Sequence, residues 1–424
     1  MLKKFSETSM QLKIFSLMLL ATVALASEPK DQPLASFAYH NGVAVGGYWL
    51  EDRPIEPPYK DGSQRLGQTG EAYVYDVGPD GQKRQTALYP LIPTSELPRF
   101  LTHSGFGFSV GVFNDTIAVG TMPLGGAVYL FKRDQGQWRF DTKVSIPGAF
   151  SFGHSLAIAD GYLIVGAPEY QSSKAVRLGA AFIFKEGPSG WVLERSVIGQ
   201  HEHGDLGWSV AVSDKAAVIG SPRPGEALIV KHSGETRVLT PRVKDPWVRR
   251  ITSYGISVAV SGDVVAVGAY TANGERGHPI GSGEAYIYSV SDLNQFRLLH
   301  PPTPVGPAEQ WFGRSVAISQ NGELLAVGAP GERTVPGNYA PDYFHSGVVY
   351  LYSRKPPGMW SLDHRITYEV PHRQELEMEL GRQVGFIDNH VFALADLLKK
   401  VLIFDPSGNV CNGLLTAGKP KAEL

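Results

Sequence analysis

The densest group of side chains able to do chemistry is the run His201-Glu202-His203-Gly204-Asp205. On an extended segment, a His-x-His spacing puts both imidazoles on one side, where a divalent metal can use them, and Asp205 adds an oxygen. A zinc site needs three or four ligands. Two of the matching stretches elsewhere in the chain, SIPGAFSFG and GPAEQWFG, contain no histidine. His201, His203 and Asp205 therefore stand as metal candidates beside the plainer reading of a solvated polar loop, and no firm metal site or cofactor is expected. The single cysteine, Cys411, lies in GNVCNGLL with no CxxC or Cys/His cluster to support thiol or zinc chemistry. It reads as a small buried apolar residue, with a free thiol that pairs with a partner as the alternative. There is no P-loop or H-E-x-x-H, and the adjacent carboxylates Glu51 and Asp52 point apart on an extended chain. A site gathered from several repeats leaves no linear motif, so the sequence offers no positive evidence for catalysis.

The elements that must position these residues repeat. Tyr254–Tyr288 holds three apolar runs, ISVAV, DVVAVGA and GEAYIY, rich in Val, Ile, Ala and Tyr and bounded by Gly and Asp. Runs this short with these residue types are strands. The pattern recurs from Phe106, Phe152, Leu206, Phe312 and Leu380, with a degenerate first copy at Ser36. Most copies add a fourth run headed by an aromatic, such as WRFDTKVSI and WVLERSVIG. A period near fifty residues built only of strands marks stacked units, and four short antiparallel strands per unit make a propeller blade. The expected fold is all-β: a seven-bladed β-propeller of four-stranded antiparallel blades, starting near residues 36, 105, 151, 206, 254, 312 and 380.

The residues FG-x-S-V-A followed by VGAP resemble the FG-GAP repeat, which builds the N-terminal seven-bladed propeller of integrin alpha subunits and occurs in secreted bacterial proteins. The resemblance implies a binding or adhesion role. It also implies calcium loops of the form D-x-D-x-D-G between the first two strands of several blades. Here those turns read Phe113-Asn114-Asp115, Ala159-Asp160-Gly161, Ser213-Asp214-Lys215 and Ser261-Gly262-Asp263. Each offers one or two side-chain oxygens where calcium wants six to eight, so calcium is not expected. They read as tight hairpin turns.

Residues 1–26 combine Lys3, Lys4 and Lys13, an apolar run from Ile14 to Leu25 and an Ala24-Leu25-Ala26 cleavage signal. That is a signal peptide, with an uncleaved anchor as the alternative. The propeller is then expected over 27–415, with a tail at 416–424 and no transmembrane span after cleavage. The destination is the periplasm, the cell surface or the exterior. Lys+Arg 39 against Asp+Glu 41 leaves the chain nearly neutral, which argues against nucleic-acid binding.

Strand order sorts the connections onto two faces. Turns between strands one and two and between three and four are short. Connections between strands two and three and between blades are long and rich in aromatics, and long loops on a rigid scaffold carry binding. Trp49, Tyr170, Tyr270, Arg276, Trp311, Arg333 and Tyr343 lie in them, and Trp, Tyr and Arg are the residue types that anchor interfaces. A further variable position follows each repeat's FG pair: Phe108, His154, Trp208, Ile256, Arg314 and Arg382. It is either a receptor ring at the channel mouth or a variable rim. The leading expectation is a binding scaffold for a protein through the long-loop face. A carbohydrate-binding module using aromatic platforms and an envelope enzyme with a central-channel site are the alternatives.

Overall fold

A computed structural model describes residues 36–48, 70–77, 83–89, 105–121, 126–171, 176–241, 253–271, 281–302, 310–332, 347–356, 358–368, 379–395 and 400–411. These residues form 27 strands in seven separate sheets. Every sheet is an antiparallel meander, and six have four strands. In the seventh, Val384–Ile387, His390–Ala395 and Lys400–Phe404 pair in order, and an antiparallel bridge from Phe404 to Val410 starts an extra edge. Cys411 follows that bridge, donating its backbone N–H to the Ile403 carbonyl. It is half-buried against the last core wedge. No described helix is long and apolar enough to cross a membrane.

The first strand of each blade is the inner one. Ser36–His40, Ser109–Phe113, Ser155–Ala159, Ser209–Val212, Ser257–Ser261, Ser315–Ile318 and Val384–Ile387 touch one another in turn, and the last touches the first to close the ring. The alternation of these strands explains their residue types. The third position of the first six is Ala38, Gly111, Ala157, Ala211, Ala259 or Ala317, matched by Gly385 in the shorter seventh, because blades converge at the axis and leave no room for a larger side chain. A Cβ on Gly111, for example, would press on Leu156 of the next blade.

The FG and GAP elements of the repeat form one latch between neighbouring blades. Gly313 has φ +85°, a conformation that favours glycine. Its N–H donates to the Gly328 carbonyl of its own blade at 3.0 Å. Its carbonyl turns back to the preceding blade and accepts from Ser257 Oγ at 3.0 Å. Gly268 of that preceding blade lies directly beneath, where any Cβ would overlap the Gly313 carbonyl. The serine bond recurs at Ser36, Ser109, Ser155, Ser209 and Ser315, each reaching the FG glycine of the next blade. The aromatic or leucine before each glycine is buried outright: Phe106, Phe152, Leu206, Tyr254, Phe312 and Leu380.

The core is not one mass but seven wedges, one in each gap between blades. Residues of the blade at 257–299 meet those of the blade at 315–366 around Phe312 and Tyr350. Phe37, Tyr48 and Tyr75 of the first blade meet Phe392, Leu394 and Ile403 of the seventh. Position 383 is Gln rather than Ser, so the closing gap lacks the serine latch. It is held by this apolar wedge and by Tyr39, whose hydroxyl lies 3.4 Å from both Asp388 oxygens. Each wedge removes apolar surface that a lone blade would expose, which is how a ring of small units exceeds the size of a single core.

Candidate functional site

The meander places the long connections and the start of every inner strand on the same end of the ring, as the sequence implies. There the six residues after the FG glycines form a collar round the channel mouth. Each is set by the same turn, in which its backbone N–H donates to the carbonyl three residues earlier: Phe108 to Gly105, His154 to Ser151, Trp208 to Asp205, Ile256 to Ser253, Arg314 to Trp311 and Arg382 to Glu379. The accepting residue has positive φ in all six turns, from 44° to 58°. Glycine fits this conformation, but only Gly105 is glycine. Trp311, at φ 58°, is the bulkiest of the set, and a large side chain in that region marks strain or function.

Around the collar the chemistry divides into two arcs. On one side His154 sits between Phe108 and Trp208, with ring centroids 5.3 and 4.8 Å away. Burial pushes the His154 imidazole below its ordinary pKa, and its Nδ1 is buried without a hydrogen-bond partner among the described residues. On the other side the Arg314 guanidinium lies over the Tyr270 ring at 5.5 Å, within cation–π range. Trp311 meets the same tyrosine edge-on at 6.5 Å. Arg382 follows, half-exposed and 3.3 Å from Glu379.

Of the sequence-derived candidates, Tyr270 and Trp311 are brought together, and Arg314 completes the group. Tyr170 is placed differently. It packs edge-on against Phe182 at 5.9 Å and joins the wedge between the second and third blades, so much of its ring is structural. Trp49, Arg276, Arg333 and Tyr343 lie outside the described residues, as do the signal segment and the C-terminal tail.

The metal candidates diverge. Asp205 is buried at 2% exposure, with one oxygen 2.8 Å from Arg177 and the other 2.6 Å from Arg223. His201 Nε2 turns to Glu226 at 3.0 Å, and His203 projects into solvent beside Glu202. Both Asp205 oxygens are thus committed to guanidinium groups. Among the described residues no three His, Cys, Asp or Glu side chains gather closely enough to hold a metal. Sequence reasoning missed the Asp205 clasp because Arg177 and Arg223 are polar loop residues with no periodic signal.

No curated protein matches the sequence. Among solved structures, the fold is similar to virginiamycin B lyase from Staphylococcus aureus, at 9% identity and TM-score 0.50, over 87% of this chain and 93% of that one. A streptogramin B lyase aligns at 8% identity and TM-score 0.53, over 89% and 94%. Sqt1 from Saccharomyces cerevisiae aligns at 12% identity and TM-score 0.51, over 90% and 85%. At these identities the likeness is one of fold. Residues 252–288 match the model of the FG-GAP repeat, so the chain is a seven-bladed propeller that carries an FG-GAP repeat in the blade opening with Tyr254.

Proposed function

We propose that this is an exported scaffold that binds a protein partner through the long-loop end of the ring, in an adhesive or envelope-assembly role. The observation that carries the reading is Trp311. It keeps a left-handed backbone at a turn where its counterpart in the second blade is glycine, and it stands with Tyr270 and Arg314 in one partly exposed group. Strain retained at a bulky, presented side chain is easier to explain by what it contacts than by packing. Trp, Tyr and Arg are the residues that dominate interface energetics. The signal-like residues 1–26 support export.

The test is cross-linking capture from envelope extract of the source cells, comparing the native chain with a Tyr270→Ala, Trp311→Ala double variant. One polypeptide retained by the native chain and lost with the variant supports the reading. Equal retention by both removes this end of the ring as the interface. The aromatic arc of Phe108, His154 and Trp208 favours a second reading, a glycan stacked on its rings. Quenching of tryptophan fluorescence by a sugar, lost in Trp208→Ala, would favour it over the protein partner.

A further inference from the structure

The far end of the channel, opposite the long loops, holds a cavity of about 350 Å³ that the collar does not use. Its walls are the inner strands of six blades. Ala157, Ala211, Ala259 and Ala317 give them their width, and valines, isoleucine and phenylalanines fill between. This volume lies within the range of small-molecule sites, which are mostly apolar with a few placed polar groups.

Most of the polar groups gather at the rim, with Gln383 at the other end of the bore. Tyr39, His40, Gln320 and Asp388 come from the first, sixth and seventh blades. His40 Nδ1 accepts from the Asn114 backbone N–H at 3.0 Å. Its Nε2, which then carries the ring proton, lies 3.3 Å from the Gln320 side-chain amide across the opening and donates to it when that amide presents its oxygen, a contact from the first blade to the sixth. Burial keeps His40 on the neutral side, while Asp160 and Asp388 both act on it as nearby negative charges. Among the described residues no Lys or Arg lines the cavity, and Asp388 is its one carboxylate. That carboxylate is exposed, with the Tyr39 hydroxyl 3.4 Å from both its oxygens and the His40 and His390 imidazoles, both kept toward the neutral form by burial, in its field, so among the described residues no Lys or Arg pairs with it.

We propose that the central channel is a binding site for a small organic ammonium, with its apolar tail in the alanine-walled bore and its cation at the Asp388 carboxylate. The tail gains from leaving water. The head group keeps access to solvent at the rim, so its desolvation is partial, and it meets the Asp388 carboxylate there, with Asp160 adding to the negative field. The bridge from His40 to Gln320 is a single long contact and parts to admit the tail. An anion is disfavoured twice, by Asp388 and by the absence of any lining cation. This site is independent of the long-loop end and stands or falls separately from the function proposed for it.

The test is calorimetric titration of the full chain at neutral pH with butylammonium, hexylammonium, hexanol and hexanoate. Hexylammonium is expected to bind at one site, about fifteenfold tighter than butylammonium, since each of the two extra buried methylenes is worth about fourfold. It should also bind about tenfold or more tighter than hexanoate, the margin set by one near charge at the rim. Asp388→Asn should bring hexylammonium close to hexanol without altering hexanol. Asparagine tolerates the left-handed φ of 53° found there, so this variant keeps the fold. Ala317→Leu should block all tail-bearing ligands, and Trp311→Ala should change none of these values. No heat from hexylammonium, equal binding of hexanoate, or unchanged affinity in Asp388→Asn would each overturn the proposal. The Asp388→Asn result decides even if Ala317→Leu does not fold.

Discussion

Ser109 Oγ and the Gly153 carbonyl, 44 residues apart, meet at 2.6 Å in a buried hydrogen bond that joins the second blade to the third. The Gly153 N–H is already spent on the Gly166 carbonyl of its own blade, so the serine completes that residue's backbone pairing across the gap. Replacing it by alanine leaves a buried carbonyl unsatisfied and adds no steric problem. Ser109→Ala is expected to cost about 1–3 kcal/mol, read as a lower urea midpoint with an unchanged slope. A midpoint equal to that of the native protein would show that water replaces the latch freely.

The fold was readable because its period lies in residues that packing dictates. Phe or Leu before the glycine is buried, the glycine needs positive φ, the serine reaches the next blade, and the second glycine accommodates a carbonyl. Each is a local demand repeated at every gap, so it appears in the sequence at every repeat. The collar was only half readable. Its variable position stood out as a break in a repeating pattern, and Tyr270 and Trp311 stood out by type. Their convergence depends on two turns that no pattern predicts. Asp205 was misleading for the same reason: a carboxylate beside two histidines looks like a ligand, but its partners Arg177 and Arg223 come from two other connections.

Trp311 separates stability from binding. Its left-handed backbone costs about 1–3 kcal/mol for a residue with a Cβ, a cost glycine avoids. Its ring returns part of that through Tyr270. Trp311→Gly is therefore expected to fold with stability within about 1 kcal/mol of the native protein, while losing partner capture. Trp311→Ala keeps the strain without the ring and should be the less stable of the two. Melting curves and capture on the same two variants check this. A glycine variant less stable than the alanine variant would mean that the turn is not strained.

Acid should loosen the ring through three histidines. His40, His154 and His390 are all pushed below the ordinary imidazole value of 6.5, in each case chiefly by burial. The unfolded chain takes up these protons near pH 6.5, while the native state holds the rings neutral to lower pH. The unfolded state therefore binds more protons as pH falls. Stability from these groups is full above about pH 6.5 and is lost downward through the native values, by at most about 1.4 kcal/mol per pH unit for each ring. Melting temperature should decline from pH 7 to pH 5, and His154→Phe, which keeps contact with Phe108 and Trp208, should flatten the decline. A melting temperature independent of pH in that window would contradict the burial of these rings.

The most costly single change predicted is at Arg365. Glu332 is fully buried and accepts from Arg365 Nη2 at 2.7 Å, Arg365 Nε at 3.0 Å and the Tyr350 hydroxyl at 2.6 Å. Burial, with the Glu332 carboxylate beside it, raises the Tyr350 phenol far above its ordinary range, so that hydroxyl remains a donor. Arg365 itself is about one-third exposed, so the desolvation cost of the pair falls mainly on the carboxylate. Removing the guanidinium leaves that charge buried with a single neutral donor. Arg365→Met is expected to destabilise by about 3–5 kcal/mol, because breaking a buried pair strands its partner. Glu332→Gln in the same chain should recover part of the loss, since the amide carries no charge and still accepts from Tyr350. Denaturant titration of the two single variants and the double variant measures the coupling between the sites. Additive losses would show that the two residues act independently and that the sixth blade does not depend on their pairing.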